Sequence, residues 1–255
     1  MLILLPPSET KLRPTAGRPL ELGELSHPGL TSARTLVLRS LMATSARPDA
    51  RDILGVPPRL QDAVDANTHL DTAPTAPALD VYTGVLYDAL DAPSWDAATR
   101  SRSSAILIFS ALFGVLTSTD TVPAYRLSGA VNLPGVGPLV SFWRSRLATL
   151  PTDDLIFDCR SGTYEAMWRP RGALRVRVFQ ERAGRRTVVT HMAKHARGLV
   201  ARALLSSDPP KTRDEAVDTL RGWFATHPVT TATGQLARVH VETSPTSIDV
   251  ITALT

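Results

Sequence analysis

One cysteine, Cys159, stands in the whole chain, so neither an intrachain disulfide nor a cysteine-built zinc site can form. No apolar run approaches the roughly 20 residues that cross a bilayer as a helix. The start, Met1-Leu2-Ile3-Leu4-Leu5, lacks a basic leader and stops at Pro6-Pro7, so it reads as a buried strand and not as a signal peptide. Lysine is scarce: Lys11, Lys194 and Lys211 stand among 28 basic residues, and the rest are arginines. There is no Walker motif and no Gly-x-Ser-x-Gly. Gly135-Val136-Gly137 lacks the third glycine of a dinucleotide fingerprint and lies between Pro134 and Pro138, so it reads as a loop. These absences exclude a disulfide scaffold and point to a cytoplasmic protein with no membrane partner.

The 255 residues are near the upper limit for one hydrophobic core, and the expectation is a single large domain over 1–255. A net charge of +4 is too mild to mark a nucleic-acid binder by itself. The kind of base says more. Arginine forks onto phosphates and carboxylates and stays charged, whereas lysine is a point charge whose pKa moves readily. In a chain that writes arginine almost everywhere, the retained lysines are candidates for work that arginine cannot do.

Apolar periodicity predicts buried strands at 2–5, 105–109 and 154–159, with later strands at 236–241 and 249–254. The alternating segments 174–179 and 186–190 flank Ala183-Gly184 and predict a hairpin. Helices are expected at 30–43, 79–89, 94–101 (with Ser94 as N-cap), 137–150 and 192–206. A further helix is capped by Thr212 with Glu215 and runs to Phe224. Residues 44–76 are rich in Pro, Asp and Thr, with Pro57-Pro58 interrupting any helix, and read as a variable lobe or helical insertion. Alternating strands and helices together with a hairpin predict a mixed α/β or α+β fold, a mixed sheet flanked by helices.

Three polar segments follow strands: Ser8-Glu9-Thr10-Lys11, Tyr125-Arg126, and Asp158-Cys159-Arg160-Ser161-Gly162-Thr163-Tyr164. Ligands of open α/β sheets bind beyond the carboxyl ends of strands, so these loops either converge on one cleft or are ordinary turns. In the 192–206 helix, Lys194, Gly198 and Arg202 share one side with Arg197 nearby. That side is either an anion-facing surface or a solvated face paired with acids. Gly198 costs roughly 1 kcal/mol against alanine in a helix, so something is expected to approach the backbone there. His191 and His195 have the i, i+4 spacing of a metal pair, but Met192 stands where a zincin carries its glutamate and no third ligand is evident, so no metal and no cofactor are assigned. Cys159 reads as a buried small hydrophobe.

Taken together, these segments resemble the YaaA peroxide-stress family. Leu4-Leu5-Pro6-Pro7-Ser8-Glu9-Thr10-Lys11 is similar to its N-terminal signature. Phe109-Ser110-Ala111-Leu112-Phe113-Gly114-Val115-Leu116, with Asp120 and Pro123-Ala124-Tyr125-Arg126-Leu127, is similar to its central one. Ser141-Phe142-Trp143, the 158–164 loop and Lys194-His195-Ala196-Arg197-Gly198-Leu199 with Arg202 follow in the family's order. Thr163 precedes the tyrosine of the S-x-E-Y motif, and Glu165 carries the acid one residue after it. The resemblance implies the family's mixed α/β "cantaloupe" fold with a basic cleft, a helix-hairpin-helix-like element, DNA binding, and a role in limiting iron-dependent damage under peroxide stress.

On that reading Arg126, Arg160, Arg197 and Arg202 neutralise phosphates of duplex or damaged DNA with little sequence preference. Tyr125, Tyr164 and Trp143 stack on a base or line the cleft, beside Ser8, Ser161, Lys11 and Lys194. The alternative is an enzyme acting on a nucleobase, nucleotide or other phosphorylated small molecule in the same cleft, with Lys11, Lys194 and Tyr164 as candidate catalytic groups. A third reading is an indirect effect on iron through a partner, since no cysteine or carboxylate cluster suits iron storage.

Overall fold

The apolar runs become the middle of one large mixed sheet in the computed structural model, which describes residues 1–150, 154–182, 185–188, 190–230 and 236–254. In chain order the strands are β1 (Leu2–Leu5), β2 (Ile106–Ser110), β3 (Gly114–Thr117), β4 (Ile156–Asp158), β5 (Leu174–Arg182), β6 (Arg185–Val188), β7 (Val229–Thr230), β8 (Leu236–Ser244) and β9 (Ser247–Leu254). Their spatial order is β7-β8-β9-β5-β4-β1-β2-β3, with β6 paired to β5. β1 is flanked by parallel β2 and β4, and β5 runs parallel to both β4 and β9. The β2–β3, β5–β6, β7–β8 and β8–β9 pairs are antiparallel.

β1 lies in the interior of the sheet and is covered on both faces, which is why Ile3, Leu4 and Leu5 are continuous apolar residues with no exposure. β5 instead alternates. Leu174, Val176 and Val178 are buried, while Arg175 and Arg177 point outward to Glu165 and Asp249. Because β1, β2 and β4 are parallel, the loops that follow them leave from one edge of the sheet.

The helices that shape that edge are α1 (Thr31–Ser45), α2 (Val85–Leu90), α3 (Leu139–Leu147), α4 (Gly162–Glu165), α5 (Thr190–Ser206) and α6 (Arg213–Thr226). From α1, the buried Arg34 donates to the Phe113 and Val115 carbonyls at 3.0 and 2.7 Å and so holds the β2–β3 turn. α2 crosses α5 at Gly198, where a Cβ would stand 2.2 Å from the Leu86 carbonyl oxygen. The backbone approach expected at Gly198 is therefore this helix crossing.

Several boundaries differ from expectation, each for a local reason. The 79–89 segment splits into Ala78–Val81 and α2 around Gly84, whose φ of 93° interrupts a right-handed helix. Asp96 caps the next helix, Ala97–Ser101, by accepting from the Thr99 N–H at 2.7 Å, so Ser94 is not the cap. α3 begins only after Gly137 and Pro138. β3 was not expected from periodicity; it depends on Gly114 at φ 74°. β6 stops at Val188 and Thr190 already belongs to α5, while the Ala183-Gly184 turn of the hairpin lies outside the described residues.

At the start of α6 the Thr212 hydroxyl accepts from the Glu215 N–H at 3.2 Å. The Glu215 carboxylate accepts from the Lys211 N–H at 2.8 Å and not from the cap residue's own. Within 44–76, Ala50–Leu54 and Gln61–Ala66 are short helices joined through Gly55 at φ 63°. Pro57-Pro58 breaks neither; Pro58 opens the 3-10 turn that leads into the second.

Candidate functional site

Two prolines stop β1 from continuing, and the chain then folds back on itself. The Ser8 hydroxyl donates to the Thr10 carbonyl and accepts from the Thr83 N–H at 3.1 Å. Lys11 forms an antiparallel bridge with Tyr82, and the Leu12 N–H donates to the Val81 carbonyl at 2.9 Å. The 6–11 loop is thereby fastened to the segment before α2. This fastening directs the half-buried Lys11 side chain inward. Its ammonium donates to the Ser8 carbonyl at 2.7 Å and stands 4.2 Å from the Tyr125 ring centre and 5.3 Å from that of Tyr82.

The two phenols belong to a buried hydrogen-bonded chain. Tyr82 and Tyr125 oxygens are 2.9 Å apart, and Tyr125 is 2.7 Å from the Ser110 hydroxyl. Ser110 already accepts from the Leu112 and Phe113 N–H groups, which occupies its two lone pairs, so its own proton goes to Tyr125. Burial holds both phenols protonated, their pKa values raised above the ordinary tyrosine value. Lys11 is pushed the other way. Desolvation first, and then the neighbouring Arg126 charge, lower it to about 7, against the opposing pull of Glu9.

Lys11 opens onto a cavity of about 520 Å³ at the carboxyl edge of β1 and β4. One wall is Pro6 to Lys11, and Thr83 to Tyr87 form a second. Arg126 to Ser128 form a third, and Cys159, Ser161, Thr163 and Tyr164 a fourth. Lys194 and Arg197 of α5 complete it. Arg126 is held at both ends. Its guanidinium donates to the Glu9 carbonyl and carboxylate at 3.2 and 3.0 Å. Its backbone N–H donates to the Asn67 side chain, and its carbonyl accepts from the same amide, both at 2.9 Å.

Tyr164 accepts from the Gly129 N–H at 3.3 Å, and burial raises its phenol to about 12. Arg197 donates to the Val176 carbonyl at 3.1 Å. Lys194 is exposed, and among the described residues no carboxylate pairs with it. Cys159 has no exposure and its thiol is pushed up to about 12 by burial, so it stays protonated at neutral pH and is not a thiolate nucleophile.

A family model described as peroxide stress protein YaaA matches residues 1–220. A UPF0246 protein of Streptomyces coelicolor is 44% identical over 232 residues, covering 87% of this chain and 89% of the relative. A UPF0246 protein of Corynebacterium efficiens is 44% identical over 230 residues, covering 87% and 92%. An uncharacterized protein of Campylobacter jejuni is 25% identical over 209 residues. The chain belongs to the YaaA peroxide-stress family.

The YaaA-like signatures are scattered along the chain, and the fold gathers most of them. Of the residues singled out from sequence, Ser8, Lys11, Arg126, Ser161, Tyr164, Lys194 and Arg197 line the one cavity. Tyr125 lies beneath it, as the ring on which Lys11 rests. Three others stand elsewhere. Trp143 is wholly buried, donates to the Ala111 carbonyl at 2.8 Å and packs on Gly114, so it braces the β2–β3 turn and stacks on no ligand.

Arg160 is wholly buried too. It grips Asp158 with two bonds of 2.8 and 2.7 Å, donates to the Tyr164 and Trp168 carbonyls, and stacks 4.0 Å from the Phe109 ring centre, which leaves it no reach to a phosphate. Arg202 pairs with Asp91 at 3.1 Å and donates to Ser94, tying α5 to the turn after α2. The His191–His195 pairing cannot be placed, because the His191 side chain lies outside the described residues.

Sequence reasoning missed Asn67, Glu9, Ser110 and Tyr82. Glu9 and Ser110 sat inside the quoted YaaA-like motifs and were legible there. Nothing at the level of one sequence announces that Asn67, in the least regular segment of the chain, clasps the Arg126 backbone.

Proposed function

We propose that this YaaA-family protein serves in the peroxide-stress response by binding DNA in a basic cleft, chiefly through phosphates and with little sequence preference. The observation that carries this reading is the imbalance of charge along the cavity. Lys11, Arg126, Lys194 and Arg197 line it against the single carboxylate of Glu9. Cations from three separate segments facing one space repel each other, and an anion in that space relieves the repulsion. Backbone phosphates supply such anions at regular intervals, and their neutralisation releases counterions.

Fluorescence anisotropy with an intact duplex and a duplex containing an unpaired bubble, over a series of salt concentrations, tests this. Log affinity is expected to fall linearly with log salt, with a slope of about −0.9 per phosphate contacted. Lys194→Ala is expected to weaken all DNA forms alike and to flatten the slope by about one contact. An absence of binding to every form at low salt overturns the reading.

A second reading, an enzyme acting on a nucleotide-like or other phosphorylated small molecule, is supported by the cavity size. At about 520 Å³ it falls within the roughly 300–1,000 Å³ of small-molecule sites. Saturable nucleotide binding with little salt dependence, and no DNA binding, favours this alternative.

A further inference from the structure

We propose that Lys11 is an imine-forming nucleophile for an aldehyde that carries phosphate. The inference rests on the reading of the cleft as a phosphate site and adds a reaction to it. A lysine amine attacks carbonyls only when neutral, and three features of its surroundings favour that form. It is enclosed by the Tyr82 and Tyr125 rings, Arg126 stands close enough to repel its positive charge, and no carboxylate pairs with it among the described residues.

The geometry also leaves the amine usable. One N–H donates to the Ser8 carbonyl at 2.7 Å, which fixes the nitrogen, and a neutral amine so held retains its lone pair for the cavity it lines. The backbone of Lys11 is pinned by its bridge to Tyr82, so the nitrogen is presented from a fixed base. Arginine cannot form an imine, which accounts for a lysine at this place in a chain where 28 basic residues include only three lysines.

The step balances within the site. The nitrogen lone pair forms a bond to the carbonyl carbon while the C=O π pair moves to oxygen, and a proton passes from nitrogen to that oxygen. The carbinolamine hydroxyl then leaves as water with a proton supplied by an acid of the site, while the nitrogen lone pair forms the C=N bond of the protonated imine. Tyr164, a protonated phenol, and Glu9, a carboxylate, line the same cavity and are the groups placed to pass those protons. Lys194, Arg197 and Arg126 are the cations for the attached phosphate. Two sources share this chemistry: the ring-opened deoxyribose of an abasic site in a DNA strand, and a free aldose phosphate.

Borohydride trapping separates the two. The full chain is incubated with a duplex bearing one abasic site, with the intact duplex, and with ribose 5-phosphate, each in the presence of sodium cyanoborohydride. The protein is then digested and the modified peptide sequenced by mass spectrometry. The expected result is an adduct on Lys11 in the abasic or the ribose 5-phosphate arm and none with intact duplex. The trapping rate should rise with pH through about 7, where Lys11 loses its proton.

Lys11→Arg is expected to lose at least tenfold of the adduct, while Lys211→Arg, at an exposed residue away from the cavity, retains it. If Lys11→Arg fails to fold, the peptide map of the unaltered chain decides alone. No adduct in either aldehyde arm, or an adduct on another lysine, overturns the proposal. Anisotropy with the intact duplex runs in parallel. DNA binding without an adduct sinks this proposal and leaves the DNA reading standing. A Lys11 adduct with ribose 5-phosphate in a protein that binds no DNA does the reverse.

Discussion

Two loops leave neighbouring parallel strands at the same edge of the sheet, and each buries a cation on an aromatic ring. After β4, Arg160 lies 4.0 Å from the Phe109 ring centre, and after β1, Lys11 lies 4.2 Å from that of Tyr125. Their remaining partners differ. Arg160 meets a carboxylate in two-pronged fashion and two backbone carbonyls besides. Lys11 meets one carbonyl. A buried charge whose donors are all engaged is a structural element, because any new ligand would have to displace a bond already made. A buried charge with one oxygen partner loses its proton readily and keeps bonding capacity for whatever enters the cavity. Both loops look alike in sequence, each a short polar run with a cation after an apolar strand. The difference lies in the number of acceptors that the fold brings to each.

Removing the carboxylate partner breaks the comparison most severely. Asp158→Ala leaves the Arg160 guanidinium buried without its counter-charge, a change that costs about 3–5 kcal/mol in comparable buried pairs. Urea unfolding followed by circular dichroism is expected to show a loss of that order, whereas Lys11→Met, which removes a charge held away from water, is expected to show no such loss. A loss below about 1 kcal/mol for Asp158→Ala would mean that water reaches Arg160, and the distinction between the two loops would fall.

Much of this contrast is hidden from sequence for a physical reason. The strands were legible because burial on both faces demands unbroken apolar runs, as in Ile3-Leu4-Leu5 and Ile106 to Phe109. The convergence of Ser8, Lys11, Arg126, Ser161, Tyr164, Lys194 and Arg197 was also legible, since parallel strands send their following loops to one edge and the family motifs marked those loops. The role of a given cation was not legible. Arg160 carries the same residue type as Arg197 and sits between polar neighbours, yet it is sealed under Trp168, while Arg197 reaches the cavity. Trp143 misled in the same way. An aromatic in a motif reads as a stacking platform until Gly114 is seen packed against its ring.

A middle-sized effect is expected at Asn67, which holds the third wall of the cleft. Its amide exchanges two hydrogen bonds of 2.9 Å with the Arg126 backbone, and it has no exposure. Asn67→Ala removes both and leaves the Arg126 N–H and carbonyl short of partners, which costs about 1–3 kcal/mol. Because the same bonds place Arg126 over Glu9, DNA affinity is expected to fall together with stability. Lys194→Ala, at an exposed residue, is expected to lower affinity with stability unchanged. Denaturant unfolding and anisotropy on the two variants check the split. Equal stability losses in both would place Lys194 among the structural cations, on the Arg160 side of the comparison.

The last effect is the most specific to Lys11, because it depends on pH. The group has its ordinary pKa of 10.5 in the unfolded chain and about 7 in the folded protein. Between those values the unfolded chain holds a proton that the folded protein has released, so this lysine makes stability rise with pH across that window. Below about pH 7 both states are protonated and the folded protein carries the full cost of a charge away from water; above about 10.5 both are neutral and the cost is gone. Lys11→Met removes the titration and keeps an unbranched side chain between the Tyr82 and Tyr125 rings. The melting temperature of the variant minus that of the unaltered protein is therefore expected to be most positive near pH 6 and to decline steadily toward pH 10. For a chain of this size each kcal/mol corresponds to a shift of about 2–4 °C. Lys211→Met, at an exposed residue before α6, is the control and is expected to give a flat difference across the same range. If Lys11→Met is as flat as the control, Lys11 keeps its proton throughout. It then behaves as Arg160 does, as a fixed charge within the fold, and the imine chemistry proposed for it has no neutral amine to start from.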